Sequence, residues 1–255
     1  MWKILVPIAL LFFLLERVIP ARRQPVFRGG LLADALYVGV HYSLRVLMNV
    51  TLATALTSAG RLLLPGWAFE VLTGKPVWVQ AVTLIFVLDL FFYVMHRLKH
   101  RWTWWWRLHE THHSSPRLDW LASARFHPFE KLLDRLIFLL PLLVLGVSES
   151  AIVIWSGVDV FFGIMNHSNT RLRLGPLIYL FVGPEMHRWH HARDPRVASC
   201  NFGNNLSVFD WIFGTAYLSP GEPAAFGVEG EGYPYESIWK QCLYAFRRGP
   251  RSPVV

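Results

Sequence analysis

Apolar residues in this chain come in long blocks rather than in alternation, a pattern that predicts helices throughout and no half-buried strands. The first block, residues 4–19, follows Lys3 and has the short uncharged stretch of a signal peptide. No small-residue cleavage site follows it, so a membrane anchor is expected. The second, residues 31–56, carries Asp34, His41 and Arg45 on one side of a helix. That side is expected to face other helices, because ionisable groups do not face lipid. His41 should pack there as a hydrogen-bonded histidine. Residues 77–95 form a third block, whose length of about 20 residues at roughly 1.5 Å each matches a hydrocarbon core of about 30 Å. Residues 135–165 exceed one ordinary span and are broken at Gly146 and Ser148-Glu149-Ser150, which predicts a hairpin of two shorter helices. The count gives four or five transmembrane helices in one all-α domain covering residues 1–255.

Composition agrees with a membrane protein: 53% of residues are apolar, 16% are charged and the mean hydropathy is +0.33. Lys and Arg accumulate on the cytosolic side of a bilayer. Arg22, Arg23 and Arg28 follow the first block, Arg97 to Arg125 follow the third, and Arg188, Arg193 and Arg196 follow the hairpin. With the spans counted as above, all three clusters share one face, which is taken as cytosolic. The membrane would be a bacterial inner membrane or one of the endoplasmic-reticulum type. The net charge of +8 then reflects topology and attraction to anionic headgroups, and nucleic-acid binding is disfavoured. Trp102, Trp104, Trp105 and Trp106 fit an aromatic belt at that interface. Cys200 and Cys242 have no paired spacing and read as free thiols. Residues 220–234 read as a surface loop before a short terminal helix.

Ten of the eleven histidines lie between His96 and His191. His96 and His100, four apart, share a helix face at the end of the third block. His109, His112 and His113 follow, and His187, His190 and His191 repeat their H-x-x-H-H spacing beyond the hairpin. The topology brings all three groups to the same membrane face, so they can converge on a shared metal centre in a histidine-rich cap. A zinc site uses about four protein ligands, so eight or nine imidazoles are too many for one ion. Imidazole suits iron, copper, nickel and zinc alike. His167, where the hairpin returns, is expected to join the ligands. His127, in Arg125-Phe-His-Pro-Phe-Glu130, is expected to have a structural or supporting role. Ligating histidines donate their second ring nitrogen to a carboxylate or carbonyl. Asp89, on the face of His96, is the first candidate acceptor, with Asp159, Asp194 and Asp210 behind it.

These residues resemble the fatty acid hydroxylase and sterol desaturase superfamily, whose boxes read H-x(3 or 4)-H, H-x-x-H-H and H-x-x-H-H. Here they are His96-Arg-Leu-Lys-His100, His109-Glu-Thr-His-His113 and His187-Arg-Trp-His-His191. Asp89 and Tyr93 before the first box, Ser114-Ser115 after the second, and Asn201-Phe-Gly203 with Asp210-Trp-Ile-Phe-Gly214-Thr215 after the third extend the likeness, and Asn166, beside His167, is with Asn201 a further candidate supporting residue. The resemblance implies a non-haem centre of two iron ions, with His96, His100, His109, His112, His113, His167, His187, His190 and His191 as ligands. It also implies dioxygen as co-substrate, electrons from a haem or iron-sulfur carrier with its reductase, and hydroxylation or desaturation of a membrane lipid at an unactivated C–H bond. One departure stands out: some members carry another histidine four residues before the position of His167, where this chain has Gly163.

A rival reading uses fewer residues. His109-Glu110-Thr-His-His113 also satisfies H-E-x-x-H, which in a zinc metalloprotease binds zinc through two histidines with Glu110 as general base. It leaves His96, His100, His187, His190 and His191 without a role.

Overall fold

The computed structural model describes residues 2–45, 71–194, 197, 199–228 and 232–247. Residues 46–56 of the second predicted span, and Arg196, lie outside them. Helices dominate: α1 (Trp2–Val18), α2 (residues 31–45), α3 (Val77–Arg101), α4 (Thr103–His113), α5 (Pro128–Leu145), α6 (Glu149–His167), α7 (Pro184–His190), α8 (Val208–Ile212) and α9 (Ile238–Tyr244). Among the described residues there is no strand, only three isolated bridges.

The predicted hairpin is α5 and α6. Gly146 ends α5 with a φ of 61°, a left-handed conformation that glycine adopts without a Cβ penalty. Ser148 then caps α6, its hydroxyl accepting from the Ala151 N–H. Two helices, Val77–Arg101 and Glu149–His167, are long and apolar enough to cross a membrane. The first two turns of α5 carry the charged sequence Glu130-Lys-Leu-Leu-Asp134-Arg135, which lowers its hydropathy, and Glu130 and Asp134 are buried.

α6 is the central element and packs against α1 and α3. Leu5 and Phe12 of α1 bury themselves against Val160, Ile164 and Met165 of α6, while Val6, Leu10 and Leu14 are exposed. The carboxylate of Glu16, near the end of α1, is buried and accepts the backbone N–H groups of Trp120 (2.8 Å) and Asn169 (2.9 Å). It thereby ties α1 to the segments following α4 and α6.

The polar side of α2 faces inward as expected. Asp34 is fully buried and accepts from Arg28 (2.8 Å) and from Arg125 Nε (2.6 Å). Arg45 pairs with Asp159 of α6 at 2.7 Å. His41 packs there as expected, against the rings of Tyr42 and Phe126, but its Nδ1 has no hydrogen-bond partner among the described residues. The four tryptophans expected in a belt divide by exposure. Trp102 and Trp104 are exposed, whereas Trp105 and Trp106 are buried, because α4 turns that face inward and lays Trp106 against His100 and His113.

Candidate metal centre

All nine histidines expected as ligands are buried and lie in two adjoining sets. His96, His100, His109, His113 and His190 form one, and His112, His167, His187 and His191 the other. Within each set, one nitrogen from every ring lies within 4.8 Å of all the others. The two H-x-x-H-H boxes divide in mirror fashion. His109 and His113 enter the five-membered set and His112 the other; His187 and His191 enter the four-membered set and His190 the other. Helix geometry explains the division: residues four apart share a face, while the residue between them leaves the helix about 100° from its neighbour. Each box therefore reaches both sets, which stand side by side, with the His113 and His191 rings stacked at 4.5 Å.

The hydrogen bonds select one nitrogen of several rings. Nδ1 of His96 donates to Phe202 O (2.8 Å), of His112 to Arg125 O (3.1 Å), of His167 to Gly163 O (2.8 Å), and of His190 to Cys200 O (2.7 Å). Nδ1 of His109 donates to Oε1 of Glu130 at 2.8 Å. In these five rings the Nε2 lone pair is left to face the interior. Nε2 atoms then stand 3.0 Å apart between His96 and His109, 3.2 Å between His112 and His167 and between His167 and His187, and 3.1 Å between His187 and His191. Two nitrogens bound at right angles to one zinc-sized ion, each at about 2.1 Å, would be about 3.0 Å apart. Both ring nitrogens of His100, Nε2 of His113 and His190, and Nδ1 of His187 and His191 are buried without a hydrogen-bond partner among the described residues. Buried nitrogens left unpaired cost stability unless something binds them.

Burial also keeps these rings neutral. It pushes the His190 imidazole down to about 3, and it holds His112, His113, His187 and His191 well below the ordinary histidine value, with the neighbouring imidazoles adding to the effect. A neutral imidazole is the form that binds a metal.

A family description of fatty acid hydroxylases matches residues 81–215, the stretch that carries every one of these rings. The chain belongs to the fatty acid hydroxylase family. Ornithine lipid hydroxylase of Rhizobium tropici is 31% identical over 181 residues, which cover 71% of this chain and 54% of that protein. Human alkylglycerol monooxygenase is 28% identical over 158 residues, covering 62% and 35%. Human fatty acid hydroxylase domain-containing protein 2 is 27% identical over 141 residues, covering 54% and 39%. The chain thus spans about half, or less, of these relatives' length. No solved structure matches it.

In this family member the supporting groups differ from the sequence expectation. None of the hydrogen bonds just described runs from an imidazole to Asp89, Asp159, Asp194 or Asp210; backbone carbonyls accept from four rings and Glu130 from the fifth. Asp89 instead receives the backbone N–H groups of Asn205 (3.0 Å) and Leu206, and the Asn205 amide at 2.7 Å. Asp210 receives the N–H groups of Phe202 and Gly203, each at 2.8 Å. Asn201, held at a φ of 55°, donates to Met186 O and Tyr217 O. These three residues shape the 200–206 loop, and that loop supplies the carbonyls that orient His96 and His190. Asn166 donates to Asn204 O at 2.7 Å, and Asp159 accepts from Arg45 and Asn204. The Asp194 carbonyl closes a turn with Val197. His127 caps α5, accepting the Phe129 N–H at Nδ1 and bonding Cys242 O through Nε2.

Sequence reasoning missed a buried charge cluster beneath the five-membered set. Lys99, between His96 and His100 on α3, pairs with Glu130 (2.8 Å) and Asp134 (2.7 Å). A lysine between two histidines just past an apolar span, with acidic residues four apart at the start of another helix, is the signal that could have found it.

Gly203 lies where the loop is tightest. A Cβ there would come within 2.5 Å of Leu206 O and 2.9 Å of Asp210 Oδ2. Gly203→Ala is expected to cost about 2 kcal/mol of stability and to weaken metal retention, because the loop must shift under His96. Thermal unfolding with metal analysis checks this, and unchanged values for both would contradict it.

Proposed function

We propose that the chain is a membrane-bound lipid hydroxylase whose nine imidazoles hold two iron ions, one in each set, at the cytosolic face. The observation that carries the proposal is the division of nine buried histidines into sets of five and four, with lone pairs converging at 3.0–3.2 Å. Five nitrogen donors exceed the four of a tetrahedral zinc site and suit an ion that takes five or six ligands. Bound iron would supply the capacity to activate dioxygen with reducing equivalents and so to oxidise an unactivated C–H bond.

The chain's own residues prepare that chemistry in three ways. The carbonyls of Phe202, Arg125, Gly163 and Cys200, with Glu130, fix the tautomer and tilt of five rings, so the donors are in place before substrate arrives. The aromatic rings of Phe126, Trp106 and Phe202 pack against the imidazoles and limit water. A narrow cavity of about 90 Å³, bordered by Leu88, Phe92, Phe138, Trp155 and Val160 of the membrane helices, reaches His96 of one set and His112, His167 and His187 of the other. Gly163 lies on its wall, and beyond its chain neighbours and its own helix backbone a Cβ there would meet nothing within 4 Å among the described residues. The wall is open where some family members carry a histidine. An apolar chain can enter from the bilayer between α3, α5 and α6. With four or five crossings the basic clusters would lie on the cytosolic side, where they would suit an acidic haem or iron-sulfur electron carrier.

Hydroxylation is favoured over desaturation because the relatives above are named hydroxylase and monooxygenase. The zinc-protease reading has no comparable support. His109 and His113 share their set with three further imidazoles, and Glu110 is not part of it. Glu110→Gln should keep its metal and at least about half of its turnover, whereas a hydrolase would lose activity by several orders of magnitude. The test of function is incubation of the iron-loaded protein with a membrane lipid extract, dioxygen and a reductant. A lipid that gains one oxygen atom supports the proposal, and lipids unchanged after full reductant turnover contradict it.

A further inference from the structure

The cavity is unusually charged for one that receives a hydrocarbon. Arg45, Lys131, Arg135, Asp89, Asp134 and Asp159 all border it. The carboxylates have partners within the protein. Asp89 is taken by backbone N–H groups, Asp134 by Lys99, with Lys131 at 3.5 Å, and Asp159 by Arg45 and Asn204. Arg45 is different. Arg45 is only 3% exposed, and its Nη1 donates to Asp159 at 2.7 Å, yet its buried Nε and Nη2 have no hydrogen-bond partner among the described residues. The Trp155 ring, 5.6 Å from Cζ, covers one face of the guanidinium but satisfies neither donor. Two free N–H groups of one guanidinium form the fork that matches a carboxylate or phosphate. Arg135, on the same wall, adds a second cation against the single charge of Asp159.

We infer that this cavity binds an acid group of the lipid, a carboxylate or a phosphate, through the unpaired edge of Arg45 with Arg135 as second cation. The inference rests on the proposed function and narrows its substrate to lipids carrying an anionic group. Position supports it. Asp159, which anchors Arg45, lies eight residues before His167 on α6, about 12 Å along the helix. An acid group seated on Arg45 therefore leaves a short stretch of the same molecule to reach the imidazoles. The acid group would sit inside the protein near the oxidised carbon, not at the membrane surface.

Binding to the iron-loaded, full-length protein in neutral detergent tests this without turnover. The probes are radiolabelled N-palmitoylglycine and its methyl ester, and lysophosphatidate and the uncharged monoacylglycerol. At least one acid probe should bind about tenfold or more tightly than its neutral counterpart, and which pair shows the difference distinguishes carboxylate from phosphate. The double variant Arg45→Gln/Asp159→Asn removes both charges together, leaves no buried carboxylate unpaired, and should abolish the preference with iron content unchanged. Should that variant not fold, Arg135→Gln should weaken the same preference. Equal binding of acid and neutral probes, or a preference that survives these substitutions, would overturn the inference. Iron content and lipid oxidation of the unaltered protein are read separately, so failure of the proposed function would appear as missing iron or missing product.

Discussion

His112→Ala should empty the four-imidazole site and lower lipid oxidation by about a thousandfold or more, while His190→Ala should retain more metal. The asymmetry follows from the inventory. His112 belongs to a set of four, and its loss leaves three nitrogens; His190 belongs to a set of five, and its loss leaves four. Groups that merely orient a ligand are worth about 10–100-fold in metal affinity, so the loss of a ligand itself should cost at least as much. The measurement is iron per chain after gel filtration, with circular dichroism to confirm that both variants are folded. Full iron retention in folded His112→Ala would remove that ring from the centre, and greater iron loss in His190→Ala than in His112→Ala would contradict the assigned sets.

The second large effect is expected at Glu130, which holds the His109 ring and one side of Lys99 while itself fully buried. Glu130→Ala removes the acceptor of His109 Nδ1 and half of the acidic partnership of a buried lysine. Removing one partner of a buried ion pair costs about 3–5 kcal/mol, and here Asp134 remains on Lys99, so the lower end is expected. Iron affinity of the five-membered set should fall about 10–100-fold as well. Glu130→Gln, which keeps an acceptor for the imidazole, should recover part of the metal affinity. The two readouts are chemical denaturation and iron titration. A Glu130→Ala protein with unaltered stability and unaltered iron affinity would show that the cluster does not support the centre.

The histidines were legible because their spacing is itself geometric: four residues apart means one helix face, whatever the fold. The hairpin was legible for a similar reason, since Gly146 and Ser148 are chemically suited to end one helix and start the next. The division of each H-x-x-H-H box between two sets was not, because it depends on how α4 and α7 are rotated against each other. The partners of the rings were also hidden. Every residue has a carbonyl, so nothing in the sequence marks Phe202, Arg125, Gly163 or Cys200 as acceptors, and Asp89 and Asp210, which looked suitable, shape the 200–206 loop instead. Glu130 escaped notice because an acidic residue in the first turn of a helix ordinarily complements the helix dipole. Only the approach of α4 and α3 gives it His109 and Lys99.

X-ray absorption at the iron edge of the purified protein tests the central claim most directly. Two iron ions per chain, each surrounded by four or five imidazole nitrogens and lacking a protein carboxylate ligand, is the predicted result. A single ion, or iron bound mainly by carboxylate oxygen, would contradict it.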